Sequence, residues 1–213
     1  MQFYYSRRAR EHESAYHHDD PACRSELVEL ERCMQSALNG CDVLEIACGA
    51  GYWTERAAAA ARRVTATDMT MESLDIAIAR DLSPDKVRFI RADAFALGKV
   101  PGPFNAGLAA FWLSHVPKSR LNDFLDGFHA RLDPGAVVFM ADHSYVEEAG
   151  GELFQRESEE DTYKLRTLSG GTRHEIIKNC YRADDLIGLF TPRATELQVQ
   201  VSSCFWWVRY RLP

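Results

Sequence analysis

A glycine-rich turn that directly follows an apolar run constrains the fold of this chain more than any other stretch. Residues 43–54 read Val-Leu-Glu-Ile-Ala-Cys-Gly-Ala-Gly-Tyr-Trp-Thr, so an apolar strand that carries Glu45 runs into two glycines and then into the start of a helix. Glycine lets the backbone approach a ligand in conformations that a side chain forbids. The N–H groups that begin a helix favour a carboxylate or phosphate. The stretch therefore predicts the strand–turn–helix unit of a fold that binds a nucleotide-like ligand.

The spacing of the small residues separates two classes of ligand. A dinucleotide fingerprint requires glycine three residues after Gly51, where this chain has Thr54, and it places its acid after the next strand. Glu45 followed by Ala47, Gly49 and Gly51 instead resembles the first motif of class I S-adenosylmethionine-dependent methyltransferases, with alanine in the first glycine position. The turn is therefore interpreted as part of a site for S-adenosylmethionine, which would leave as S-adenosylhomocysteine.

Two further strands also close with an acid. Residues 63–68 form a β-branched run that ends in an aspartate, and residues 87–93 do the same before an aromatic residue. One such acid is equally consistent with a helix N-cap, but three acids at consecutive strand ends favour a cofactor site. The resemblance implies that the second acid binds ribose, that the third binds the adenine amine, and that the aromatic ring packs on the purine. The residues assigned in this way are Asp68, Met69, Asp93, Ala94 and Phe95.

Composition and charge bound the possible partners. The 213 residues, 46% of them hydrophobic, suffice for one domain over residues 1–213. A net charge of −6 without a polybasic run argues against nucleic acid as a partner. No apolar segment is long enough to cross a membrane or to act as a signal, so we expect a cytoplasmic protein.

The cysteines and histidines do not indicate a metal site. The six cysteines show no Cys-x-x-Cys spacing, and the pair His17-His18 beside Asp19-Asp20 has no other ligand in register. We therefore expect no metal, and reduced, mostly buried thiols. These cysteines are Cys23, Cys33, Cys41, Cys48, Cys180 and Cys204.

Strands and helices alternate along the chain, which predicts a Rossmann-like, doubly wound parallel sheet of about seven strands. Residues 1–40 are expected to form helices that cover the cofactor, and residues 196–211 an antiparallel hairpin that closes the sheet edge. The expected helices span residues 7–14, 24–38, 55–62, 71–80 and 120–132, and the fourth and fifth strands span residues 106–111 and 136–141.

Residues 142–180 form an insertion that the core fold does not require. Two β-rich runs, 162–168 and 172–179, flank Ser169-Gly170-Gly171, a pattern typical of a β-hairpin. This segment is expected to cap the site.

Alternation along this hairpin creates a candidate basic surface. Lys164 and Arg166 share one face of the first strand, and His174 and Lys178 share one face of the second. The two faces coincide only if Arg166 lies opposite His174, because a shift of one residue separates them. A solvated outer face and a ligand-binding face both fit this pattern.

Motifs spread along most of the chain resemble small bacterial class I O-methyltransferases, especially the phosphonate O-methyltransferases of dehydrophos biosynthesis. They are Tyr4-Tyr5 with Arg8 and Glu11, residues 51–54, Trp112-Leu113-x-His115-Val116-Pro117, Arg166-Thr167-Leu168 and Ile177-Lys178. In that family the hairpin caps the pocket, and its Arg and Lys lie near the acidic group of the substrate. The resemblance thus makes Arg166 and Lys178 candidate catalytic anion-binding residues, with His174 beside them.

The same resemblance assigns Tyr5, Arg8 and Trp53 to the methionine carboxylate and places Phe111 at the cofactor, where the relative has histidine. A phosphonate or carboxylate acceptor is ionised at neutral pH and needs no general base. A hydroxyl or amine acceptor needs one, and His115 is then the candidate, although an oriented core histidine fits equally well. Trp112 either lines the acceptor site or packs in the core. A third reading is a non-catalytic module that binds S-adenosylmethionine.

Overall fold

The computed structural model describes residues 20–144, 153–167 and 171–213. The α-helices within these ranges are α1 (Pro21–Leu38), α2 (Tyr52–Ala60), α3 (Met71–Ile78), α4 (Leu121–His129) and α5 (Ala183–Phe190). The strands are β1 (Asp42–Ile46), β2 (Arg63–Asp68), β3 (Val87–Arg91), β4 (Phe104–Ala110), β5 (Leu132–His143), β6 (Leu153–Gln155), β7 (Thr162–Thr167), β8 (Arg173–Ile177), β9 (Thr195–Val201) and β10 (Phe205–Arg211). The helix expected over residues 7–14 lies outside the described residues.

Seven strands form the main sheet in the order β3-β2-β1-β4-β5-β10-β9. The first five run parallel, and β10 pairs antiparallel with both β5 and β9. This confirms the predicted doubly wound sheet with an antiparallel C-terminal hairpin. The strand order reverses between β1 and β4, and ligands of such sheets bind beside the carboxyl ends of the strands at that point.

Element boundaries differ from the predicted ones where one local signal outweighs another. Helix α1 begins at Pro21 because the carboxylate of Asp20 accepts a hydrogen bond from the Ala22 N–H at 2.8 Å, and proline fits the first helical position. Strand β5 begins at Leu132, earlier than expected, because that residue pairs with Phe104 of β4.

A separate three-stranded sheet, β6-β7-β8, follows β5 in the chain and is called the cap here. It contains the predicted hairpin and one additional strand, since β6 pairs with β7. In the hairpin Arg166 lies opposite His174, which is the register that brings the two basic faces together. Lys164, Arg166 and His174 therefore share one face of the cap.

The structure corrects the expectation that all six cysteines are reduced. Cys23 of α1 and Cys204, just before β10, form a disulfide across a sequence separation of 181 residues. Beside it, the carboxylate of Glu26 accepts hydrogen bonds from the backbone N–H groups of Ser203, Cys204 and Phe205 at 3.1, 2.8 and 3.2 Å. Sequence spacing gives no sign of this pair, because only the fold brings α1 to the β9–β10 turn. The other four cysteines are free thiols, as expected.

Within the described ranges, no helix has both the length and the apolar character that crossing a membrane requires.

The disulfide is expected to stabilise the fold. Because it restricts the unfolded chain over a long loop, Cys23→Ser should lower the free energy of unfolding by about 2–4 kcal/mol, measured by urea denaturation. The matched control is Cys33→Ser, which changes a free thiol of the same helix. A dithiol reductant should reproduce the loss in the wild type and have no effect on Cys23→Ser. Equal stability of the oxidised and reduced wild type would contradict the prediction.

Candidate active site

The turn between β1 and α2 has an unusual backbone. Ala47, Gly49 and Gly51 adopt left-handed conformations, with φ angles of 53, 56 and 80°. Alanine in this region carries a strain of about 1–2 kcal/mol, which explains why the related motif prefers glycine there. A Cβ on Gly51 would lie 3.0 Å from the Cβ of Ala77 in α3, so the turn packs directly on that helix. A Cβ on Gly49 would meet no atom of the described residues within 4 Å, which leaves room for a ligand against its backbone.

Asp68, at the end of β2, holds this turn in place. One of its carboxylate oxygens accepts a hydrogen bond from the Gly49 N–H at 3.0 Å. The other accepts from the Thr70 N–H at 2.9 Å and from the Thr70 hydroxyl at 3.0 Å. A carboxylate has about four lone-pair sites, so these bonds leave capacity for a further donor such as a ribose hydroxyl. Asp68, the residue predicted to bind ribose, thus lies beside the glycine turn. Met69, the next residue in the chain, is partly exposed.

Glu45 is buried within β1, with 1% of its surface exposed. Burial raises the pKa of its carboxyl to about 8, an effect that the nearby Thr54 hydroxyl opposes and the Asp68 charge reinforces. At neutral pH this carboxyl therefore holds its proton. Thr54 is itself fully buried in the first turn of α2.

The third strand-end acid, Asp93, accepts a hydrogen bond from the Phe95 N–H at 2.9 Å and so forms a local turn. The ring of Phe95 contacts Phe124 edge to face, with centroids 6.0 Å apart. The guanidinium of Arg120 lies 3.7 Å from the centre of the same ring. Ala94, between Asp93 and Phe95 in the chain, is buried.

Phe111, directly after β4, shares an aromatic stack with Trp53, the other aromatic residue predicted to lie at this end of the cofactor. Its ring is stacked on Trp53 at a centroid distance of 5.5 Å and meets the edges of His143 and Phe205 at 4.7 and 5.8 Å. Its φ of 58° is a strained value for a bulky residue, and such strain is concentrated at functional sites. His143 and Phe205 were missed from sequence, since the stack forms only when β5 and β10 meet.

Lys178 follows β8 and reaches the carboxyl edge of the main sheet. Its ammonium donates hydrogen bonds to Asp142 Oδ1 at 2.8 Å and to the Ser114 hydroxyl at 2.7 Å. Asp142 is fully buried and also accepts from the backbone N–H groups of His143 and Ser114, at 2.8 and 3.1 Å. Burial alone would raise the pKa of Asp142, but the charge of Lys178, with His143 and His115, holds it well below the usual value. Sequence reasoning missed Asp142, although it is a fourth acid near a strand end.

His115 lies in a short 3-10 helix, Leu113–His115, and its Nδ1 lies 2.8 Å from the Ile177 carbonyl oxygen. Since a carbonyl oxygen only accepts, Nδ1 is the donor, and the neutral ring carries its lone pair on Nε2. This orientation suits a general base and also an oriented structural histidine. Trp112 beside it is half-buried and contacts the Phe124 ring edge to face at 6.3 Å.

The basic face of the cap is elongated. Lys178 lies four residues beyond His174, so the two Cα atoms are about 13 Å apart along the extended chain. Lys164 lies between them on the neighbouring strand, opposite Ile176. The backbone positions of Arg166 and Lys178 are therefore well separated. The two residues can reach one ligand only with the ends of their long side chains. The predicted carboxylate-binding residues Tyr5 and Arg8 lie outside the described residues.

Comparisons with known proteins agree on one family. Residues 43–135 match the family described as "Methyltransferase domain". The solved structure described as "DhpI-SAM-HEP complex" is 30% identical, covers 99% of this chain and 95% of its own, and has a TM-score of 0.79. A second, described as "DhpI-SAH complex structure", is 29% identical, with coverages of 99% and 94% and a TM-score of 0.78.

A more distant match shows the same fold. It is N-methyltransferase NodS from Bradyrhizobium japonicum WM9 in complex with S-adenosyl-L-homocysteine, at 19% identity, coverages of 92% and 89%, and a TM-score of 0.63. No protein among those with curated functions matches this chain.

The packing of the glycine turn predicts unequal effects of two alanine substitutions. Gly49→Ala adds only left-handed strain and should cost about 1–2 kcal/mol of unfolding free energy. Gly51→Ala adds the same strain and pushes a methyl group against α3, so its cost should be about 2–4 kcal/mol. Urea denaturation measures both variants. Equal losses would contradict the close packing of Gly51 on α3.

The buried carboxyl of Glu45 predicts a pH-dependent contribution to stability. Its pKa is about 8 in the folded protein, against an ordinary value of 4.5. Between these values the folded state binds more protons than the unfolded chain, so stability falls as pH rises. Relative to Glu45→Gln, which cannot titrate, the wild type should lose up to about 1.4 kcal/mol per pH unit across this window. Parallel stability curves of the two proteins would show that Glu45 is charged in the fold.

Proposed function

Because the chain belongs to the class I S-adenosylmethionine-dependent methyltransferases, we propose that it methylates an oxygen of a small acidic molecule, a phosphonate or a carboxylate. The observation that carries this proposal is the attachment of the cap. Three consecutive residues at the end of β8 bond to the segment after β4: Ile177 to His115, Lys178 to Ser114, and the Asn179 N–H to the Ser114 carbonyl at 2.8 Å. The basic face of the cap thus begins at the edge where the cofactor turn lies.

The residues of the turn fit S-adenosylmethionine. Gly49 offers open backbone, the ends of β2 and β3 carry Asp68 and Asp93, and the aromatic stack holds Trp53. We assign Asp68 to the ribose hydroxyls, and Trp53 with Tyr5 and Arg8 to the methionine carboxylate. We assign Asp93 to the adenine amine, the Ala94 N–H to the adenine ring and the Phe95 side chain to the purine face.

Methyl transfer to an ionised acid depends on aligning the acceptor oxygen with the methyl group, and it needs no general base. When bound, S-adenosylmethionine supplies a methyl group on a sulfonium, and the acceptor oxygen replaces sulfur at that carbon while S-adenosylhomocysteine leaves as a neutral thioether. Arg166 can donate two hydrogen bonds to the acid in bidentate fashion, and Lys178 can supply a point charge beside it. One acceptor oxygen then stays aimed at the methyl group, and the cap excludes water.

A second candidate is methylation of a hydroxyl or an amine, with His115 as general base. The hydrogen bond from Nδ1 to the Ile177 carbonyl favours it, because this bond fixes the tautomer whose Nε2 accepts a proton. The two candidates differ in which residue the turnover depends on. Family membership disfavours a non-catalytic module.

The test is methyl transfer from labelled S-adenosylmethionine to a panel of phosphonates, carboxylates, alcohols and amines. Arg166→Ala should lower kcat/KM for the acids by about 10- to 100-fold, because it removes charge-assisted hydrogen bonds. His115→Ala should change it by less than about 5-fold, since an ionised oxygen needs no base.

The matched control is Arg156→Ala, because Arg156 bonds to Glu175 on the opposite face of the cap. It should leave kcat/KM unchanged. Loss of turnover in His115→Ala with a mild effect of Arg166→Ala would overturn the acid proposal in favour of the hydroxyl or amine acceptor.

A further inference from the structure

We infer that the disulfide between Cys23 and Cys204 is a redox site that controls how tightly this protein binds S-adenosylmethionine. The oxidised protein binds the cofactor tightly, and the reduced protein binds it more weakly. The inference concerns the cofactor, so it does not depend on which acceptor is methylated. Neither the sequence motifs nor the family match assigns a function to this pair of cysteines.

The first step is the short connection from Cys204 to the aromatic stack. The next residue in the chain, Phe205, begins β10, and its ring is 3% exposed. This ring contacts the rings of Phe111 and His143 at centroid distances of 5.8 and 5.5 Å. Phe111 in turn stacks on Trp53, which we assign to the methionine end of the cofactor. A movement of Cys204 therefore changes the support of the stack beside the cofactor.

The second step is the position of Cys23 in the first turn of α1. The following turns of this helix carry Leu27 and Leu30, which are buried in the same hydrophobic cluster as the Trp53, Phe111 and Phe205 rings. The disulfide thus fixes the start of α1 against the turn between β9 and β10, and α1 packs against the stack. Reduction removes this covalent link between the helix and the turn.

Glu26 provides a second attachment, which keeps the reduced protein folded. Its carboxylate accepts three hydrogen bonds from backbone N–H groups of the β9–β10 turn, at 3.1, 2.8 and 3.2 Å. Hydrogen bonds of a partly exposed group open far more readily than a covalent bond. The reduced protein is therefore expected to sample conformations in which the start of α1 leaves the turn. In these conformations Phe205 no longer supports the stack, and the cofactor site is incomplete.

The redox step is thiol–disulfide exchange with a dithiol reductant. Cys23 is half-buried and Cys204 is buried, so a thiolate of the reductant attacks Cys23 Sγ, and Cys204 leaves as a thiolate that takes up a proton. The second thiol of the reductant then attacks the reductant sulfur of the mixed disulfide and releases Cys23 as a thiol. Two electrons and two protons pass to the cysteine pair, and the reductant becomes a cyclic disulfide.

Cofactor binding and reduction are linked equilibria in this scheme. If the binding-competent conformation is about one-tenth populated in the reduced protein, the apparent dissociation constant of the cofactor rises about 10-fold. Reciprocity then requires that a saturating cofactor disfavours reduction by the same factor. For this two-electron couple, a 10-fold change in the equilibrium constant lowers the midpoint potential by about 30 mV.

The experiment measures the dissociation constant of S-adenosylhomocysteine by titration calorimetry. Oxidised wild type should bind most tightly, and wild type kept reduced with dithiothreitol should bind about 10-fold more weakly. Cys23→Ser should match the reduced wild type with or without dithiothreitol. The matched control is Cys33→Ser, which changes a free thiol of the same helix and should behave as the wild type in both redox states.

A second measurement needs no variant. The fraction of oxidised protein is determined by thiol alkylation across dithiothreitol redox buffers, with and without saturating S-adenosylhomocysteine. The midpoint potential should be about 30 mV lower with the ligand. A disulfide that only stabilises the fold would lower the free energy of unfolding on reduction, but it would leave both the dissociation constant and this ligand dependence unaffected.

Equal dissociation constants for oxidised and reduced wild type, with a midpoint potential that does not respond to S-adenosylhomocysteine, overturn the inference and leave the acid acceptor standing. Binding by Cys23→Ser as tight as by oxidised wild type also overturns it. The acceptor assays with Arg166→Ala and His115→Ala are run on oxidised protein, so their outcome decides the proposed function separately.

Discussion

The ion pair between Asp142 and Lys178 links the two sheets of this protein. Asp142 is in β5 of the main sheet, Lys178 follows β8 of the cap, and their charged atoms are 2.8 Å apart. Around them Asn179, itself buried, donates to the Val116 carbonyl and to Asp161 at 3.0 and 2.9 Å. Because this arrangement gives the buried charges and the Asn179 amide their hydrogen-bond partners, it fixes the position of the cap on the main sheet. The position of the basic face at the carboxyl edge of the main sheet depends on this attachment of the cap.

Strained backbone conformations also occur at the carboxyl edge of the main sheet. Ala47 and Phe111 adopt left-handed conformations at the ends of β1 and β4, the strands between which the sheet order reverses. Non-glycine residues keep such conformations only where the surrounding packing imposes them. The Phe111–Trp53 stack and the hydrogen bond from Gly49 to Asp68 supply that packing. Residues of the candidate site thus lie at the carboxyl ends of the strands, where packing fixes the strained backbone.

Sequence reasoning succeeded where the signal is local. The glycine turn, the acids at the ends of β2 and β3, and the hairpin itself follow from spacing within short segments, and the structure shows them as expected. The register of the hairpin does not follow from alternation, and the structure supplies it by pairing Arg166 with His174. It failed where partners are distant in the chain. Asp142 and Lys178 are 36 residues apart, and Cys23 and Cys204 are 181 apart, so no periodicity connects them. The short strand β6 carries too few residues for an alternating pattern.

The most direct test of the account is a crystal structure of the protein with S-adenosylhomocysteine and ethylphosphonate or ethanesulfonate. The account predicts the acid between the cap and the carboxyl ends of β4 and β5, with one oxygen on the Lys178 ammonium, Arg166 on the others, and the Lys178–Asp142 bond intact. An acid bound away from the cap, or beside His115 with Arg166 turned to solvent, would contradict it.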